Sequence, residues 1–399
     1  MPRFSSSISS LRSSEIRDLM KLVTRPGIIS FAGGMPDNDL FPISEVDELF
    51  GRLDVLKKQQ AFQYGPTPGL PSLLESLGEF LAARGLPTER ERLMITTGSQ
   101  QAISILARAF LDPGDRVLVE NPCFIGALSA FKSCQAELTG LSVDKEGISI
   151  GDLDVEANST DPAKLLYITP YFHNPGGILY SMERKRRLVE TLAWKDIVLI
   201  EDDAYGELYF YEEDKPHLKP IKAENPEGLD VCYTGSFSKI LGPGLRLGWL
   251  LASEEIYERC ELIKQSYDAC SPSFTQVIAD EFIRSGQIFP YMERVRTEYR
   301  KRALLMGDIL EATLPTDVAW TRPRGGFYIW LALPEHIDAS EVLELSLEDG
   351  VVFVIGKTFD PQGRRNNTLR LSYCNTDASQ IERGIPIIAS AIKKVMNRY

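Results

Sequence analysis

Histidine and cysteine are scarce in this chain, which contains three histidines and six cysteines among 399 residues. The cysteines do not show the C-x-x-C spacing of zinc sites, and few histidines are available to complete a metal site. We therefore expect no bound metal ion and no disulfide framework. The same pattern is typical of a reducing, cytoplasmic location.

The sequence also lacks segments suited to membranes or nucleic acids. The N-terminal run MPRFSSSISSLRSS has no apolar core of a secretory signal, and no later stretch is uncharged for the length of a bilayer. Lysine and arginine number 44 against 56 aspartates and glutamates, which gives a net charge of −12. A field of this sign repels phosphate, so we expect neither nucleic acid nor a membrane as a partner.

Short apolar runs rich in β-branched residues alternate with helical patterns in the middle of the chain. The runs are RVLVE, LLYIT, IVLIEDD and VCYTG, which begin at Arg116, Leu165, Ile197 and Val231. This alternation predicts an α/β fold with a largely parallel sheet. A helix is also predicted at residues 14–23. From about Pro290, a long charged helix and two strand-like runs predict a second, smaller domain.

The stretch GSFSKILGPGLRLGW, residues 235–249, places Lys239 directly after a predicted strand. Taken alone, such a lysine is most often a solvated loop residue. Open α/β sheets, however, bind ligands beyond the carboxyl ends of their strands. Burial lowers the pKa of a lysine, and a free amine condenses with an aldehyde, which is how pyridoxal phosphate is held. Groups suited to the phosphate of this cofactor lie near Lys239 in the sequence or begin a predicted helix: Ser236, Ser238, Arg246, Gly98, Ser99 and Gln100.

Nine motifs in order carry a resemblance to a known family: SFAGGMPDNDLFP, QYGPTPGL, TTGSQQAI, NPCFIGAL, PYFHNPGG, IEDDAYGEL, GSFSKILGPGLRLGW, PRGGF and TLRLSY. The chain resembles the fold-type I pyridoxal phosphate enzymes of the class I aminotransferase family. It is most similar to the branch with 2-aminoadipate, kynurenine and aromatic aminotransferases. The resemblance implies a large cofactor-binding domain at residues 45–285, with a mostly parallel sheet flanked by helices. A smaller α+β domain would comprise residues 286–399, with a contribution from residues 1–44.

The resemblance also implies roles for residues around the cofactor, pyridoxal 5'-phosphate. Lys239 would form the internal aldimine and move the proton removed from the substrate. Asp202 would pair with the ring nitrogen, and Tyr205 would hydrogen-bond the phenolic oxygen. Asn174 would contact the same oxygen and the substrate carboxylate, and Phe124 would stack on the ring. The adjacent Asp203 is not expected to face the ring.

For the substrate, the resemblance implies that Arg370 grips the α-carboxylate, and that the backbone of Gly34 approaches it. Tyr64 would reach the cofactor phosphate of a neighbouring subunit, so a homodimer with shared active sites is expected. Arg17 matches a position that recognises a distal carboxylate in some relatives, although a solvated helix face explains an arginine there equally well.

One departure from the family pattern leaves the reaction type open, because His173 and Gly176 stand where relatives carry glutamine and threonine. The main hypothesis is an aminotransferase that moves the amino group of an amino acid to a 2-oxo acid such as 2-oxoglutarate. The alternative is a lyase or cyclase of specialised metabolism that acts by elimination or replacement, with His173 as an extra substrate-binding acid or base. The other interpretation of His173, favoured because the remaining site is complete for transamination, is a hydrogen-bonding substitute for the glutamine. A third hypothesis is the effector domain of a transcription regulator. No winged-helix module precedes the motifs, so DNA binding is not expected.

Overall fold

The computed structural model describes residues 3–9, 27–89, 91–224 and 226–399. Its strands are β1 (Ile29–Ser30), β2 (Arg92–Thr96), β3 (Arg116–Asn121), β4 (Glu137–Asp144), β5 (Gly147–Ile148), β6 (Leu165–Ile168), β7 (Val198–Asp203), β8 (Val231–Ser236), β9 (Gly248–Ala252), β10 (Ala319–Trp320), β11 (Tyr328–Ala332), β12 (Val351–Val352), β13 (Val354–Ile355) and β14 (Thr368–Ser372). The predicted strands in the middle of the chain are β3, β6, β7 and β8, each displaced from its predicted bounds by one residue at most.

The α-helices of the described residues are α1 (Ser6–Ser9), α2 (Ile43–Arg52), α3 (Val55–Phe62), α4 (Pro71–Ala82), α5 (Ser99–Phe110), α6 (Ile125–Ser133), α7 (Ile150–Ala157), α8 (Met182–Leu192), α9 (Glu254–Asp268), α10 (Ser273–Arg284), α11 (Ile288–Thr313), α12 (Ala339–Glu348) and α13 (Ala378–Met396). Several start at a side chain that accepts a backbone hydrogen bond, as Ser181 does for α8 and Asp377 for α13. The helix predicted at residues 14–23 lies outside the described residues. No helix of the described part is both long and apolar enough to cross a bilayer.

The largest sheet has eight strands in the order β2-β9-β8-β7-β6-β3-β4-β5. Strands β4, β3, β6, β7 and β8 run parallel, while β9 is antiparallel to both of its neighbours and β5 is antiparallel to β4. Successive residues of β6 enter separate buried clusters, Leu165 and Tyr167 on one face, Leu166 and Ile168 on the other. The sheet is therefore covered on both faces, as a mostly parallel sheet requires, and the predicted α/β fold is confirmed.

A second, antiparallel sheet has the order β10-β11-β14-β13. The long helices α11 and α13 pack together beside it, as the charged helical pattern after Pro290 predicts. The chain near its beginning joins this region, because β1 pairs in parallel with β12 and Phe31 donates its N–H to the Val352 carbonyl at 2.8 Å. Residues 29–34 therefore lie between the small sheet and the carboxyl ends of the large one.

Candidate active site

A cavity of about 350 Å³ lies at the carboxyl ends of β6, β7 and β8. Thirteen residues predicted from the sequence line it: Gly34, Gly98, Ser99, Gln100, Phe124, Asn174, Asp202, Tyr205, Ser236, Ser238, Lys239, Arg246 and Arg370. A larger cleft of about 870 Å³ lies at the amino ends of the same strands, beside Lys164 and Lys222. Those two lysines are paired with carboxylates, so the smaller cavity is the candidate active site.

Lys239 follows β8 in the sequence and lines the cavity. Its Nζ donates to the Gly34 carbonyl at 2.8 Å and lies 5.2 Å from the centroid of the Phe327 ring. Burial lowers the pKa of Lys239 to about 8, and the charges of Arg370 and Arg246 act in the same direction. Lys239 therefore has a substantial neutral fraction near pH 8, which is the form that attacks a carbonyl carbon.

Asp202 lies at the carboxyl end of β7, buried and inside the cavity wall. Tyr167 donates its hydroxyl to Oδ2 at 2.7 Å, and Thr234 donates to Oδ1 at 3.0 Å. Burial raises the pKa of Asp202 to about 6, and these two hydrogen bonds oppose the rise. The carboxylate is therefore ionised at neutral pH and suited to hold a cationic ring nitrogen.

Asp203, the next residue of β7, has its carboxylate among protein partners outside the cavity lining. Arg84 Nη2 donates to Asp203 Oδ2 at 2.6 Å, and the Tyr233 hydroxyl donates to the same oxygen at 2.7 Å. The Gly206 N–H donates to Oδ1 at 2.7 Å. Both carboxylate oxygens are thus occupied, in agreement with the expectation that Asp203 does not face a ligand.

Groups suited to a phosphate lie where α5 begins. Its N-cap, Gly98, has no side chain to accept hydrogen bonds from the first helical N–H groups, and those of Ser99 and Gln100 have no acceptor within the helix, whereas the Gln101 N–H donates to the Gly98 carbonyl at 3.1 Å. The exposed Arg246 lies alongside, with Nη2 donating to the Thr97 carbonyl at 3.3 Å. Ser236 donates its hydroxyl to the Ser238 hydroxyl at 2.8 Å. An anion fits this arrangement because free N–H groups, hydroxyls and a guanidinium meet there.

Arg370, in β14, is buried in the cavity wall. Nη1 donates to Asn174 Oδ1 at 2.8 Å, and Nη2 donates to the Ala32 carbonyl at 2.6 Å. Its Nε has no hydrogen-bond partner within the described ranges, although it is buried. A buried guanidinium with an unmet donor is suited to bind a carboxylate.

Sequence reasoning missed five residues that line the cavity: Met35, Ile125, Thr169, Ala204 and Tyr328. Tyr328 contacts two predicted site residues: its hydroxyl lies 3.2 Å from the Tyr205 hydroxyl, and its ring centroid lies 4.2 Å from Arg370 Cζ. Tyr328 directly follows the motif PRGGF in the sequence. No pattern in the sequence distinguishes a cavity-lining residue of a strand from a core residue, so no signal singled it out.

His173, which the sequence offered as a substrate-binding residue, is not among the residues that line the cavity. Its side chain is fully buried. Its Nδ1 accepts the Gly176 N–H at 3.1 Å, so the ring proton lies on Nε2, which is 3.2 Å from Glu120 Oε2. Glu120 accepts hydrogen bonds from Thr169 and Tyr180, whereas His173 Nε2 makes no hydrogen bond of good geometry within the described residues. His173 therefore lies beside a buried polar cluster, and in this position it does not present to the cavity the acid or base that the elimination hypothesis requires.

The two departures from the family pattern have one physical explanation. A Cβ atom on Gly176 would lie 2.7 Å from His173 Nδ1, closer than side-chain atoms pack. The imidazole occupies the space that a larger residue at position 176 would need. His173 and Gly176 therefore form a matched pair, and they hold the loop that presents Asn174 to Arg370.

Tyr64 is 87% exposed and is not among the residues that line the cavity, so its contribution to a neighbouring subunit stays a prediction. Arg17 lies outside the described residues.

The comparisons with known proteins agree with this geometry. The family model for aminotransferase class I and II matches residues 27–388. The chain is 37% identical to aromatic-amino-acid aminotransferase 1 of Thermococcus litoralis, over 99% of this chain and 95% of that protein. It is 37% identical to 2-aminoadipate transaminase of Thermus thermophilus, over 97% and 95%. Kynurenine aminotransferase of Pyrococcus horikoshii, solved in complex with PMP, superposes with a TM-score of 0.93 at 36% identity, covering 98% of this chain and 97% of that one.

The chain therefore belongs to the class I and II aminotransferases. It is a pyridoxal phosphate-dependent enzyme of fold type I that transfers amino groups. The cavity fits this cofactor: Lys239 supplies an amine for the aldehyde, Asp202 a carboxylate for the ring nitrogen, and the start of α5 an anion site for the phosphate.

Proposed function

We propose that Lys239, Asp202 and Tyr205 are the catalytic residues, and that the amino group passes from an amino acid to a 2-oxo acid such as 2-oxoglutarate. The observation that carries this proposal is that the neutral-prone amine of Lys239 and the guanidinium of Arg370 line the same cavity. An amino acid offers one group to each of them: its α-carbon proton to the amine and its carboxylate to the guanidinium.

When bound, pyridoxal phosphate supplies an aldehyde that condenses with amines and a ring that accepts electrons from the substrate α-carbon. Lys239 takes the α-carbon proton on Nζ and returns it during transfer. The ionised carboxylate of Asp202 would hold the proton of the ring nitrogen in place. Tyr205 would donate a hydrogen bond to the phenolic oxygen, and Phe124 would stack against the ring.

The phosphate is held by the first N–H groups of α5 and by neighbouring hydroxyl and guanidinium donors: Gly98, Ser99, Gln100, Ser236, Ser238 and Arg246. The Arg370 guanidinium binds the substrate carboxylate in a planar fork. Asn174 accepts from Arg370 Nη1 at 2.8 Å and so fixes the plane of that fork. The backbone of Gly34 lines the cavity beside Arg370 and would lie close to the carboxylate.

A single-turnover reaction tests the proposal. Purified holoenzyme is mixed with one amino acid at a time, without any 2-oxo acid, and followed by visible absorbance and mass analysis. The panel spans aromatic amino acids, 2-aminoadipate and kynurenine, for which relatives are named. We expect loss of the cofactor's visible band and release of one equivalent of 2-oxo acid, and 2-oxoglutarate should restore the band. Recovery of the band without an acceptor, together with loss of water, ammonia or a side-chain group, would overturn the proposal.

We further propose that the active unit is a homodimer in which Tyr64 completes the neighbouring site. Helix α3 and the residues after it expose large apolar side chains, with Phe62 80% and Tyr64 87% exposed. Phe62 also lies 5.9 Å from the ring of Phe274, which makes the exposed surface continuous. Surfaces of this kind are commonly covered by a partner.

Hybrid dimers test the shared site. Lys239→Ala and Tyr64→Ala chains carry different affinity tags and are co-expressed, and the hybrid is purified through both tags. If Tyr64 serves the neighbouring subunit, each hybrid contains one intact site and recovers about half of the native activity. A hybrid no more active than the Tyr64→Ala homodimer would show that Tyr64 serves its own chain or none.

We also propose the domain division given above, with residues 45–285 around the eight-stranded sheet and residues 286–399 with 1–44 around the four-stranded one. The pairing of β1 with β12 supports the assignment of the first residues to the smaller domain. Limited proteolysis should cut first near residue 285.

A cytoplasmic location is supported by six cysteines without disulfide bonds, and fractionation of the source cells tests it.

A further inference from the structure

Tyr328 lies at the start of β11, 2% exposed, at the point where the small sheet meets the cavity. Its side chain contacts three residues to which the proposed function gives roles: Tyr205, Arg370 and Gly34. Each contact involves a different part of the side chain or a different partner, so each can be tested separately.

The hydroxyl of Tyr328 lies 3.2 Å from the hydroxyl of Tyr205. Within the described residues, Tyr328 is the side-chain partner of the Tyr205 hydroxyl. A hydroxyl has one proton to donate. If Tyr205 gives that proton to the phenolic oxygen of the cofactor, its own oxygen must accept, and Tyr328 must be the donor. A donated hydrogen bond also polarises the acceptor hydroxyl and makes it a stronger donor in turn.

The ring of Tyr328 supports the carboxylate-binding arginine. Arg370 Cζ lies 4.2 Å from the ring centroid of Tyr328 and 4.8 Å from that of Phe359. Aromatic faces at this distance attract a guanidinium and restrict its tilt. Because the guanidinium must lie in the plane of a carboxylate to bind it with two donors, this restriction favours binding.

The Tyr328 hydroxyl also explains why residue 34 is a glycine. A Cβ atom at position 34 would overlap the hydroxyl oxygen, whereas the next ring atom, Cζ, would lie 3.2 Å away. The Gly34 carbonyl in turn accepts from Lys239 Nζ at 2.8 Å. The hydroxyl is therefore packed against the segment that contacts the lysine.

We propose that Tyr328 is a positioning residue of the aminotransferase reaction, whose hydroxyl orients the Tyr205 hydroxyl and whose ring orients the Arg370 guanidinium. This inference rests on the proposed roles of Tyr205 and Arg370. It adds a residue from the small sheet that links the cofactor side of the cavity to the carboxylate side.

Two variants separate the hydroxyl from the ring. Tyr328→Phe removes only the hydroxyl, so we expect the pH midpoint of the holoenzyme's visible absorbance change to rise by about half a unit, because Tyr205 becomes a weaker donor. We expect kcat to fall about three- to tenfold while KM for the amino acid stays within about twofold. Tyr328→Leu also removes the ring, and KM should then rise about tenfold.

Controls separate this inference from the proposed function. In a Tyr205→Phe background, Tyr328→Phe should leave the absorbance midpoint unchanged, because no Tyr205 hydroxyl is left to orient. An equal shift in both backgrounds would overturn the positioning role, as would the native midpoint in Tyr328→Phe or an equal KM in the Phe and Leu variants. Retention of native activity by Lys239→Ala would instead refute the proposed function.

A readout on the cofactor-free protein tests the packing directly. Gly34→Ala should lower the thermal midpoint in the native background by several degrees, because its Cβ overlaps the hydroxyl oxygen. In the Tyr328→Phe background the same substitution should cost clearly less. An identical cost in both backgrounds would show that the hydroxyl does not pack against Gly34, and would remove that part of the inference.

Discussion

Two lysines in different regions of the molecule have the same lowered pKa, about 8, and the same main cause, burial. Lys185, in α8, donates its Nζ to the His217 and Lys219 carbonyls at 2.7 and 2.9 Å and lies 4.3 Å from the Tyr171 ring. Lys239 donates its Nζ to the Gly34 carbonyl and lines the cavity.

The comparison shows that a perturbed pKa does not identify a functional residue by itself. Burial lowers the pKa of both amines. Two protein carbonyls accept hydrogen bonds from Lys185, whereas Lys239 faces the cavity and keeps donors for a ligand. The same contrast separates Arg370, with its unmet Nε, from Arg84, which contacts Asp203 and Tyr233. Unmet hydrogen-bonding capacity at a cavity distinguishes the site from its support.

The lysine pair gives the largest expected difference. Lys239→Ala should reduce transamination by about 10⁴-fold or more, because it removes both the attacking amine and the proton carrier. Lys185→Ala should leave kcat within about twofold but lower the free energy of unfolding by about 1–3 kcal/mol. Steady-state kinetics and denaturant unfolding of both variants check this. Equal losses of activity in the two variants would contradict the distinction between Lys239 and Lys185.

The arginine pair should differ by a smaller factor. Arg370→Lys keeps the charge but loses the planar fork, so kcat/KM for amino acids should fall about 10²-fold, mainly through KM. Arg84→Lys, the matched control, should destabilise the protein while KM changes little, because Arg84 bonds Asp203 and Tyr233 rather than a ligand. A raised KM in the control would indicate that Arg84 also shapes the cavity.

The His173 and Gly176 pair tests the support behind Asn174. Gly176→Ala should cost about 1–3 kcal/mol of stability, because the new methyl group meets the imidazole. In a His173→Ala background the same change should be nearly neutral. Thermal unfolding of the four proteins measures the coupling. Additive effects of the two substitutions would contradict the matched pair described above.

The smallest expected effect is a pH dependence due to Asp202. Its pKa in the folded protein, about 6, lies above the ordinary value, so the carboxylate loses its charge as the pH falls through 6. Cofactor affinity should therefore decline by a few-fold between about pH 7 and pH 5. Asp202→Asn should bind the cofactor more weakly at every pH, without this decline. A decline that persists in Asp202→Asn would come from titration of the cofactor phosphate instead.

For the cofactor-free protein the sign is the opposite. A carboxylate whose pKa is raised by folding contributes stability that is fully present below its unfolded pKa, about 3.9, and is lost as the pH rises through 6. The stability difference between the native protein and Asp202→Asn should therefore shift against the native protein between about pH 4 and pH 6. A difference independent of pH would mean that Asp202 is not desolvated.

Local sequence predicted the parts of the fold and site that local rules determine. Apolar runs placed β7 and β8 because buried parallel strands need them, and Lys239 was singled out by its position after β8, whereas the role of Asp202 came from the family resemblance. The family motifs then placed Arg370 and Asn174, which are 196 residues apart in sequence and hydrogen-bonded in space.

Other features of the site depend on information that a single stretch of sequence does not contain. Tyr328 meets Tyr205 only because β11 of the small sheet packs against the end of the large one. His173 and Asn174 are consecutive, yet one side chain lies behind the wall and the other in it, since the turn sets their directions. Tyr64 requires a second chain for its prediction to be tested.

The carbonyls of Ala32 and Gly34, which accept from Arg370 and Lys239, lie two residues apart on one extended segment. Under the proposed roles, a single stretch of backbone therefore positions both Arg370, which binds the substrate carboxylate, and Lys239, which takes the α-carbon proton. The variable side chain is left to other wall residues, such as Met35 and Ile125. Substrate range can consequently diverge through changes at those positions while the geometry of amino transfer is inherited intact.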